Sequence, residues 1–212
     1  MSKENHATRA RLVAEGLKSM LINGYDGIGL NAILDAAGVP KGSFYYFFRS
    51  KEAFATAVLD AYESHYFETR SALFSDHSIS PFQRLKQYFD EAERMHLAEA
   101  PLGGCLYGVF GQTASARSAA FRRRLAAVFN RWEHQIQQLL EEAQAAGEID
   151  PTLDPQEAAA FLIEAYEGVL IRIKVEGNPA AFERFKRFAF AALEVRQQRP
   201  CSRITPGPAE NT

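Results

Sequence analysis

Residues 30–51 read LNAILDAAGVPKGSFYYFFRSK, and this pattern predicts two short helices joined by a tight turn. Leucine and isoleucine recur at helical spacing between positions 30 and 34, which gives the first helix a narrow apolar face. Gly38 is a typical stop signal, and Pro40 suits the start of the next helix because its missing N–H costs nothing there. A helix, a glycine-containing turn and a second helix form the helix-turn-helix plan of DNA-binding proteins.

The second helix of this pair is expected to span residues 41–48 and to enter the major groove of DNA. It begins with Lys41, Gly42 and Ser43, whose small or basic side chains let the helix N-terminus approach base edges. These three residues are therefore the candidates for base contacts. Tyr45, Tyr46 and Lys51 are the candidates for phosphate contacts, which position a protein on DNA without reading its sequence. Ser50 is the expected N-cap of a third, long helix.

Length and composition are those of an ordinary globular protein. The chain has 212 residues, of which 47% are apolar and 24% charged, so a small domain can stand beside a larger one. No apolar run reaches the roughly 18 residues of a membrane helix. The polar N-terminus does not resemble a signal peptide, and the expected compartment is the cytoplasm.

Cysteine and histidine usage gives no sign of a disulfide framework, a metal or another cofactor. The two cysteines, Cys105 and Cys201, lie far apart in unrelated contexts. The five histidines show no metal-ligand spacing, so no metal site is predicted.

Charge is distributed unevenly along the chain. The net charge of −2 alone argues against a nucleic-acid partner. Residues 1–52, however, hold seven Lys or Arg against five Asp or Glu, a local excess of positive charge. Together with the helix-turn-helix pattern, this excess favours a DNA-binding head.

The rest of the chain predicts an all-α fold without strands. A short helix is expected to begin at Cys105, after a proline and paired glycines. The other expected helices span 7–22, 52–74, 81–98, 119–146, 156–176 and 179–197. These elements divide into a helix-turn-helix domain at 1–51 and an effector-binding and dimerisation domain at 52–198. Residues 199–212 hold three prolines and no apolar period, which predicts a disordered tail.

The first quarter of the chain resembles the TetR family of bacterial transcriptional regulators. The resemblance lies in Gly24-Tyr25 and in residues 33–39, 41–45 and 48–52. It implies a homodimer that binds a palindromic DNA operator and a small-molecule effector. It also implies that the last two helices of each subunit pack as a four-helix bundle, although an intrachain core remains an alternative for them.

Two departures from the family pattern concern DNA contacts. The family usually has Thr or Ser near Gly29, where a hydroxyl caps the next helix and touches DNA. Asn31 is expected to substitute for that hydroxyl and is therefore a candidate DNA contact. Phe47 stands where His or Tyr is common, and it cannot donate a hydrogen bond to phosphate.

A second resemblance concerns the effector domain. Gly104-Cys105-Leu106, Trp132 and residues 167–172 are similar to a TetR subgroup that contains repressors responding to acrylate-type compounds, quinones and maleimides. A thiol at a helix N-terminus can have a lowered pKa, and its thiolate would react with such electrophiles. The plainer alternative is that Cys105 is a small buried hydrophobic residue.

Other residues were considered as lining for the effector pocket. Tyr62, Phe110, Trp132 and Tyr166 are aromatic candidates, but aromatic residues at helical spacing also build cores. Buried charge is costly unless it is paired. Glu167 and Arg172 are therefore candidates as well: Arg172 is expected either to bind a carboxylate effector or to pair with Glu167 or Glu164.

The combined expectation is a ligand-responsive repressor and not an enzyme. Catalysis at Cys105 would need a neighbouring base that no motif supplies, so no catalytic residue is predicted. Three alternatives remain open: a regulator with a reversible, non-electrophilic effector, a transcriptional activator, and a DNA-architectural protein without a ligand.

Overall fold

The computed structural model describes residues 3–27, 29–98 and 104–194, and every regular element within these ranges is helical. The predicted disordered tail at 199–212, with Cys201, lies outside the described residues. The helices in chain order are α1 Lys3–Asn23, α2 Leu30–Ala36, α3 Phe44–Phe47, α4 Lys51–Phe74, α5 Pro81–Ala98, α6 Leu106–Thr113, α7 Ala119–Ala145, α8 Pro155–Glu176 and α9 Ala180–Leu193.

The first three helices and the start of α4 form the head. Aromatic residues dominate its core: Phe44 lies with its ring edge-on to Phe54, and Phe48 packs against both. Gly24 and Gly38 adopt the left-handed conformation that favours glycine, with φ of 70° and 64°, and they terminate α1 and α2 as predicted. The helix-turn-helix plan is therefore confirmed.

The second helix of the pair differs from the predicted single helix at 41–48. A 3-10 turn, Lys41–Ser43, precedes the short helix α3. Pro40 cannot donate a backbone hydrogen bond and Gly42 is a weak helix former, so the first turn tightens into the geometry common at helix N-termini. Phe48 is extended and buried, which ends the helix one residue early.

Helix α4 connects the head to the larger domain without a break. The Ser50 hydroxyl accepts the Ala53 N–H at 3.1 Å, which confirms the predicted N-cap. Glu63 of α4 is buried and pairs with Arg124 and Arg131 of α7. Because removing either side would leave a charge without its partner, these pairs fix α4 against α7.

The larger domain contains α5–α9, and most of their predicted bounds are confirmed. The Asp154 carboxylate accepts the N–H groups of Gln156 and Glu157 and so caps α8. Helix α9 ends at Leu193, four residues before the predicted end. Its terminal carbonyl accepts the N–H of Asp150 at 2.9 Å, and Glu194 is extended.

No helix among the described residues has the length and apolar character that a membrane span requires.

Candidate functional site

The predicted DNA-contact residues lie on one exposed segment of the head. Lys41, Gly42, Tyr45 and Tyr46 are exposed, and Ser43 is half-buried. A Cβ atom built on Gly42 would meet nothing within 4 Å. The start of the segment is therefore not covered by other described residues at Gly42.

Two of the phosphate candidates already have contacts within the head. Tyr46 Oη accepts a hydrogen bond from Asn5 Nδ2 at 3.0 Å. The Lys51 ammonium lies 5.0 Å from the ring centre of Tyr25, a cation–π geometry. Both side chains are held near the surface, where a phosphate could add to these contacts.

Asn31 does not cap α2. The N-cap position is Gly29, and no side chain accepts a hydrogen bond there. Asn31 is exposed on the first turn of α2, two residues beyond the N-cap position, so its side chain cannot act as the cap. Its role in DNA contact stays a prediction.

A cavity of about 320 Å³ lies between the end of α1, the start of α6 and the last turns of α8. Its lining is mostly apolar. The titratable side chains in the lining are those of Cys105, Glu167 and Lys174. The volume and the few polar groups fit a small-molecule site. The remaining lining residues are Leu21, Ile22, Asn23, Gly24, Gly104, Gly108, Val109, Gln112, Thr113, Leu170, Ile171 and Val175.

The electrostatics of Cys105 differ from the prediction. Cys105 is the N-cap residue of α6, but burial raises the pKa of its thiol well above the usual value. The Glu167 carboxylate raises that pKa further through its charge and through a hydrogen bond with the thiol. The backbone N–H groups of Tyr107 and Gly108 lower the pKa, but their effect is smaller. The predicted low-pKa thiolate is therefore wrong: at rest the thiol is neutral.

Glu167 is itself perturbed. Burial raises the pKa of its carboxyl group from 4.5 to about 7, although the hydrogen bond with Cys105 works in the opposite direction. Its Oε1 atom is buried and has no hydrogen-bond partner among the described residues. Around neutral pH this carboxyl group is thus divided between its charged and neutral forms.

Gly108 makes room for the Glu167 carboxylate. A Cβ atom at position 108 would lie 2.1 Å from Glu167 Oε2, far inside van der Waals contact. The absence of a side chain lets the carboxylate approach α6 from α8. The glycine therefore positions the acid beside the cysteine.

The end of α1 forms part of the cavity wall and is hydrogen-bonded to other lining residues. Lys174 Nζ donates to the Leu21 carbonyl at 3.2 Å, and Thr113 Oγ1 accepts the N–H of Tyr25 at 3.1 Å. A Cβ atom on Gly24 would lie 2.9 Å from the Thr113 side chain. Residues that line this cavity thus contact the last turn of the first head helix directly.

The other aromatic candidates do not line this cavity. Tyr62 lines a different cavity, between α1 and α4. Phe110 packs on Phe121 and Tyr25 at the junction of head and larger domain. Trp132 and Tyr166 are buried against each other with ring centres 5.7 Å apart. The structure therefore brings Cys105 and Glu167 together and places these four residues in the surrounding core.

Arg172 lies on the opposite side of α8 and is not part of the Cys105 cavity. Its guanidinium pairs with Glu176, one turn along the helix. The expected alternative, a pair with Glu167 or Glu164, was wrong. Arg172 lines an open groove on the outer face of α8 and α9. Two large apolar side chains, Phe161 and Phe188, are 53% and 66% exposed on this face. This outer face matches the pair of helices predicted to dimerise.

Sequence reasoning missed the contribution of α1 and of Lys174. Lys174 follows Glu167 by seven residues, a spacing that places both on one side of a helix and could have indicated a shared site. Nothing in the sequence indicates that Lys174 contacts Leu21 or that Thr113 contacts Tyr25. These contacts depend on tertiary packing.

The described residues contain no group of three or more His, Cys, Asp or Glu side chains that could hold a metal ion.

Comparison with known proteins identifies two family domains. Residues 12–58 match the model of bacterial regulatory proteins of the tetR family, and residues 81–189 match a tetracyclin repressor-like C-terminal domain. The chain is 36% identical over 176 residues to the transcriptional regulator AcuR of Cereibacter sphaeroides, covering 83% of this chain and 80% of AcuR. It is 37% identical over 185 residues to the HTH-type transcriptional repressor DhaR of Mycobacterium sp. strain GP1, covering 87% and 91%.

The fold has solved counterparts. The crystal structure of the regulatory protein TetR from Rhodobacter sphaeroides superposes with a TM-score of 0.82 at 34% identity, covering 87% of this chain and 97% of that chain. The helix-turn-helix head, the helical C-terminal domain and these likenesses agree, and the chain belongs to the TetR family of transcriptional repressors.

Proposed function

We propose that this protein is a homodimeric repressor that binds a palindromic operator and leaves it when a small electrophile forms an adduct at Cys105. The observation that carries the proposal is the shared cavity: its wall contains the Cys105 thiol on one side and the last turn of head helix α1 on the other. A change in the volume at Cys105 would therefore act on the head directly.

DNA binding is assigned to the exposed segment that begins at Lys41. In a symmetric dimer, two such segments enter successive major grooves roughly 34–36 Å apart. Lys41, Gly42 and Ser43 face the base edges, while Tyr45, Tyr46, Lys51 and Asn31 contact the backbone. A protein of this kind acts on DNA in the cytoplasm.

Dimerisation is assigned to the outer face of α8 and α9. Phe161 and Phe188 expose large apolar surfaces there, which are costly to leave in water. A second copy of the chain would cover both. The arrangement sets the distance between the two heads, so that a shift of α1 changes the fit to the operator.

The effector is assigned to the electrophilic compounds because a cysteine lines a mostly apolar pocket. A reversible apolar ligand is the second candidate, and the raised pKa of the Cys105 thiol is the observation that favours it. In either case, the ligand can cause the protein to release DNA only if it binds the DNA-free conformation of the protein more tightly than the DNA-bound conformation.

The experiment combines intact-protein mass with an electrophoretic shift on DNA from the neighbouring promoter. The parent, Cys105→Ser and Cys201→Ser are each exposed to acrylamide and to benzoquinone. We expect a mass increase at Cys105 and loss of the shifted band in the parent and in Cys201→Ser, but not in Cys105→Ser. No DNA binding at moderate salt would refute the repressor assignment, and DNA release without an adduct would favour the reversible ligand.

A further inference from the structure

The buried thiol raises a chemical difficulty for the proposed function. A thiol reacts with electrophiles as its thiolate. Burial and the neighbouring carboxylate both oppose ionisation of Cys105, so the free thiolate is scarce at neutral pH. An adduct can form at a useful rate only if a base removes the proton while the carbon–sulfur bond forms.

Glu167 occupies the position that such a base requires. Both residues line the same cavity, and a Cβ atom on Gly108, three residues along the chain from Cys105, would lie 2.1 Å from Glu167 Oε2. The carboxylate is close enough to raise the pKa of the Cys105 thiol. Its Oε1 atom is buried without a hydrogen-bond partner, so the carboxyl group is not committed to any other described side chain. Gly108 leaves the space that the carboxylate occupies.

We infer that Glu167 is the proton acceptor for addition of Cys105 to an uncharged α,β-unsaturated carbonyl compound. This inference rests on the proposed function and adds the group that makes the thiol reactive. In the first step the sulfur bonds to the β-carbon, the thiol proton passes to the Glu167 carboxylate, and the π electrons form an enolate. The enolate carbon then takes a proton from the Glu167 carboxylic acid. The products are a thioether and the original carboxylate, and no oxidant or reductant is consumed.

The carboxyl group suits this step. A general base works best when its pKa lies near the working pH, and burial raises the pKa of Glu167 to about 7. The carboxylate of an unperturbed glutamate would be a weaker base. An uncharged electrophile is favoured because the entering molecule must lie beside a partly ionised acid in an apolar space.

Glu167 is the carboxylate among the principal groups that act on the pKa of Cys105, and Cys105 is the side chain that lowers the pKa of Glu167 against burial. Lys174 of α8 shares the cavity, but its ammonium donates to the Leu21 carbonyl. Phenols on four helices also lie near the thiol, and burial raises the pKa of each. They are Tyr62 of α4, Tyr88 of α5, Tyr107 of α6 and Tyr166 of α8.

The test measures the rate of acrylamide adduct formation at Cys105 by intact-protein mass between pH 5 and 9. In the parent, the rate should rise with ionisation of Glu167, reach half its maximum near pH 7 and level off at about pH 8. Glu167→Gln should react at least about tenfold more slowly at pH 8, since general-base catalysis typically contributes 10²–10⁴-fold. Its rate should then keep rising with pH up to pH 9.

Two glycine variants of α6 give a matched comparison. Gly108→Ala leaves Glu167 in the chain but displaces its carboxylate, so it should slow the reaction as Glu167→Gln does. Gly111→Ala lies one turn further along the same helix, where a Cβ atom meets nothing within 4 Å, and should react like the parent. If Glu167→Gln fails to fold, the two alanine variants decide the question.

The outcomes separate this inference from the proposed function. If Glu167 merely suppressed the thiolate by its charge, Glu167→Gln would react as fast as the parent or faster, and the inference would be overturned. The repressor assignment would survive that result. A parent protein that forms no adduct at all would overturn this inference and the proposed adduct mechanism, while DNA binding would still test the repressor assignment separately.

Discussion

At the scale of single residues, the environment of a side chain decides its chemistry more than its position on a helix. The sequence places Cys105 at a helix N-terminus, where a lowered pKa is expected. Burial and Glu167 reverse that expectation. Glu167 was predicted as a member of the effector site but not as the base that the thiol requires. Its partner stands 62 positions away in the chain, and only packing of α6 against α8 brings the two together.

His96 offers a residue-scale test of the buried core. Its ring hydrogen-bonds to Tyr166 Oη at 2.8 Å, and burial lowers its pKa to about 4. The unfolded chain binds a proton at about pH 6.5, so the folded state loses stability as the pH falls from 6.5 towards 4. We expect His96 to account for a loss of up to about 3 kcal/mol in the free energy of unfolding over this range.

The measurement for His96 is urea unfolding of the parent and of His96→Gln at pH 7 and pH 4.5, at equal protein concentration. Glutamine keeps a group that can bond to Tyr166 but does not titrate. Because Glu167 titrates in both proteins, its effect cancels in their difference. Equal acid sensitivity of the two proteins would contradict the buried, neutral histidine.

Lys174 offers a test of how the cavity reaches the head. Its ammonium is the donor to the Leu21 carbonyl at the end of α1. Lys174→Met should form the Cys105 adduct, but the adduct should release DNA less completely because this contact is already lost. Lys174→Arg keeps a donor and should behave like the parent. Full release by the modified methionine variant would show that the signal takes another route.

At the scale of helices, local signals predicted most of the structure. Residue type alone predicts the caps Ser50 and Asp154, because a cap needs only a side-chain oxygen at the right position. It also predicts where α5 and α7 begin. Two ends could not be predicted in this way. The second helix of the helix-turn-helix pair begins with a 3-10 turn because Pro40 and Gly42 weaken its first turn. Helix α9 ends at Leu193, whose carbonyl accepts the N–H of Asp150.

The uncapped start of α2 gives an element-scale prediction. Gly29 has an extended backbone and open space around its Cβ position, so a serine fits there without strain. Gly29→Ser should stabilise the head by a few tenths of a kcal/mol, since serine caps better than glycine. Gly29→Ala is the matched control, because it fills the same space without a hydroxyl. Thermal unfolding of the three proteins tests this, and an alanine variant as stable as the serine variant would refute the role of the cap.

At the scale of the whole molecule, the fold class and the division into head and larger domain followed from the sequence and its family resemblance. The location of the proposed effector cavity did not. The aromatic candidates pointed to the centre of the larger domain, whereas the cavity with Cys105 lies at its junction with α1. Such a junction site depends on which helix ends meet, and neither composition nor periodicity contains that information.

Dimerisation can be tested on the outer face. Phe188 is 66% exposed on α9, so Phe188→Glu should leave the fold of one subunit intact. A charge there would oppose association, and we expect sedimentation to give a monomer that binds the operator weakly. Phe67→Glu, at a 40% exposed position on α4, is the control and should remain dimeric. A Phe188→Glu protein that stays dimeric would place the interface elsewhere.

Chemistry at Cys105 should be transmitted to the DNA-binding head. The most direct measurement follows one reaction of the operator-bound parent with acrylamide, recording fluorescence anisotropy of labelled operator DNA and intact-protein mass from the same samples. We expect the fraction of DNA released to follow the fraction of protein modified at Cys105, and Cys105→Ser to retain its DNA throughout. Complete modification at Cys105 with the operator still bound would contradict this expectation.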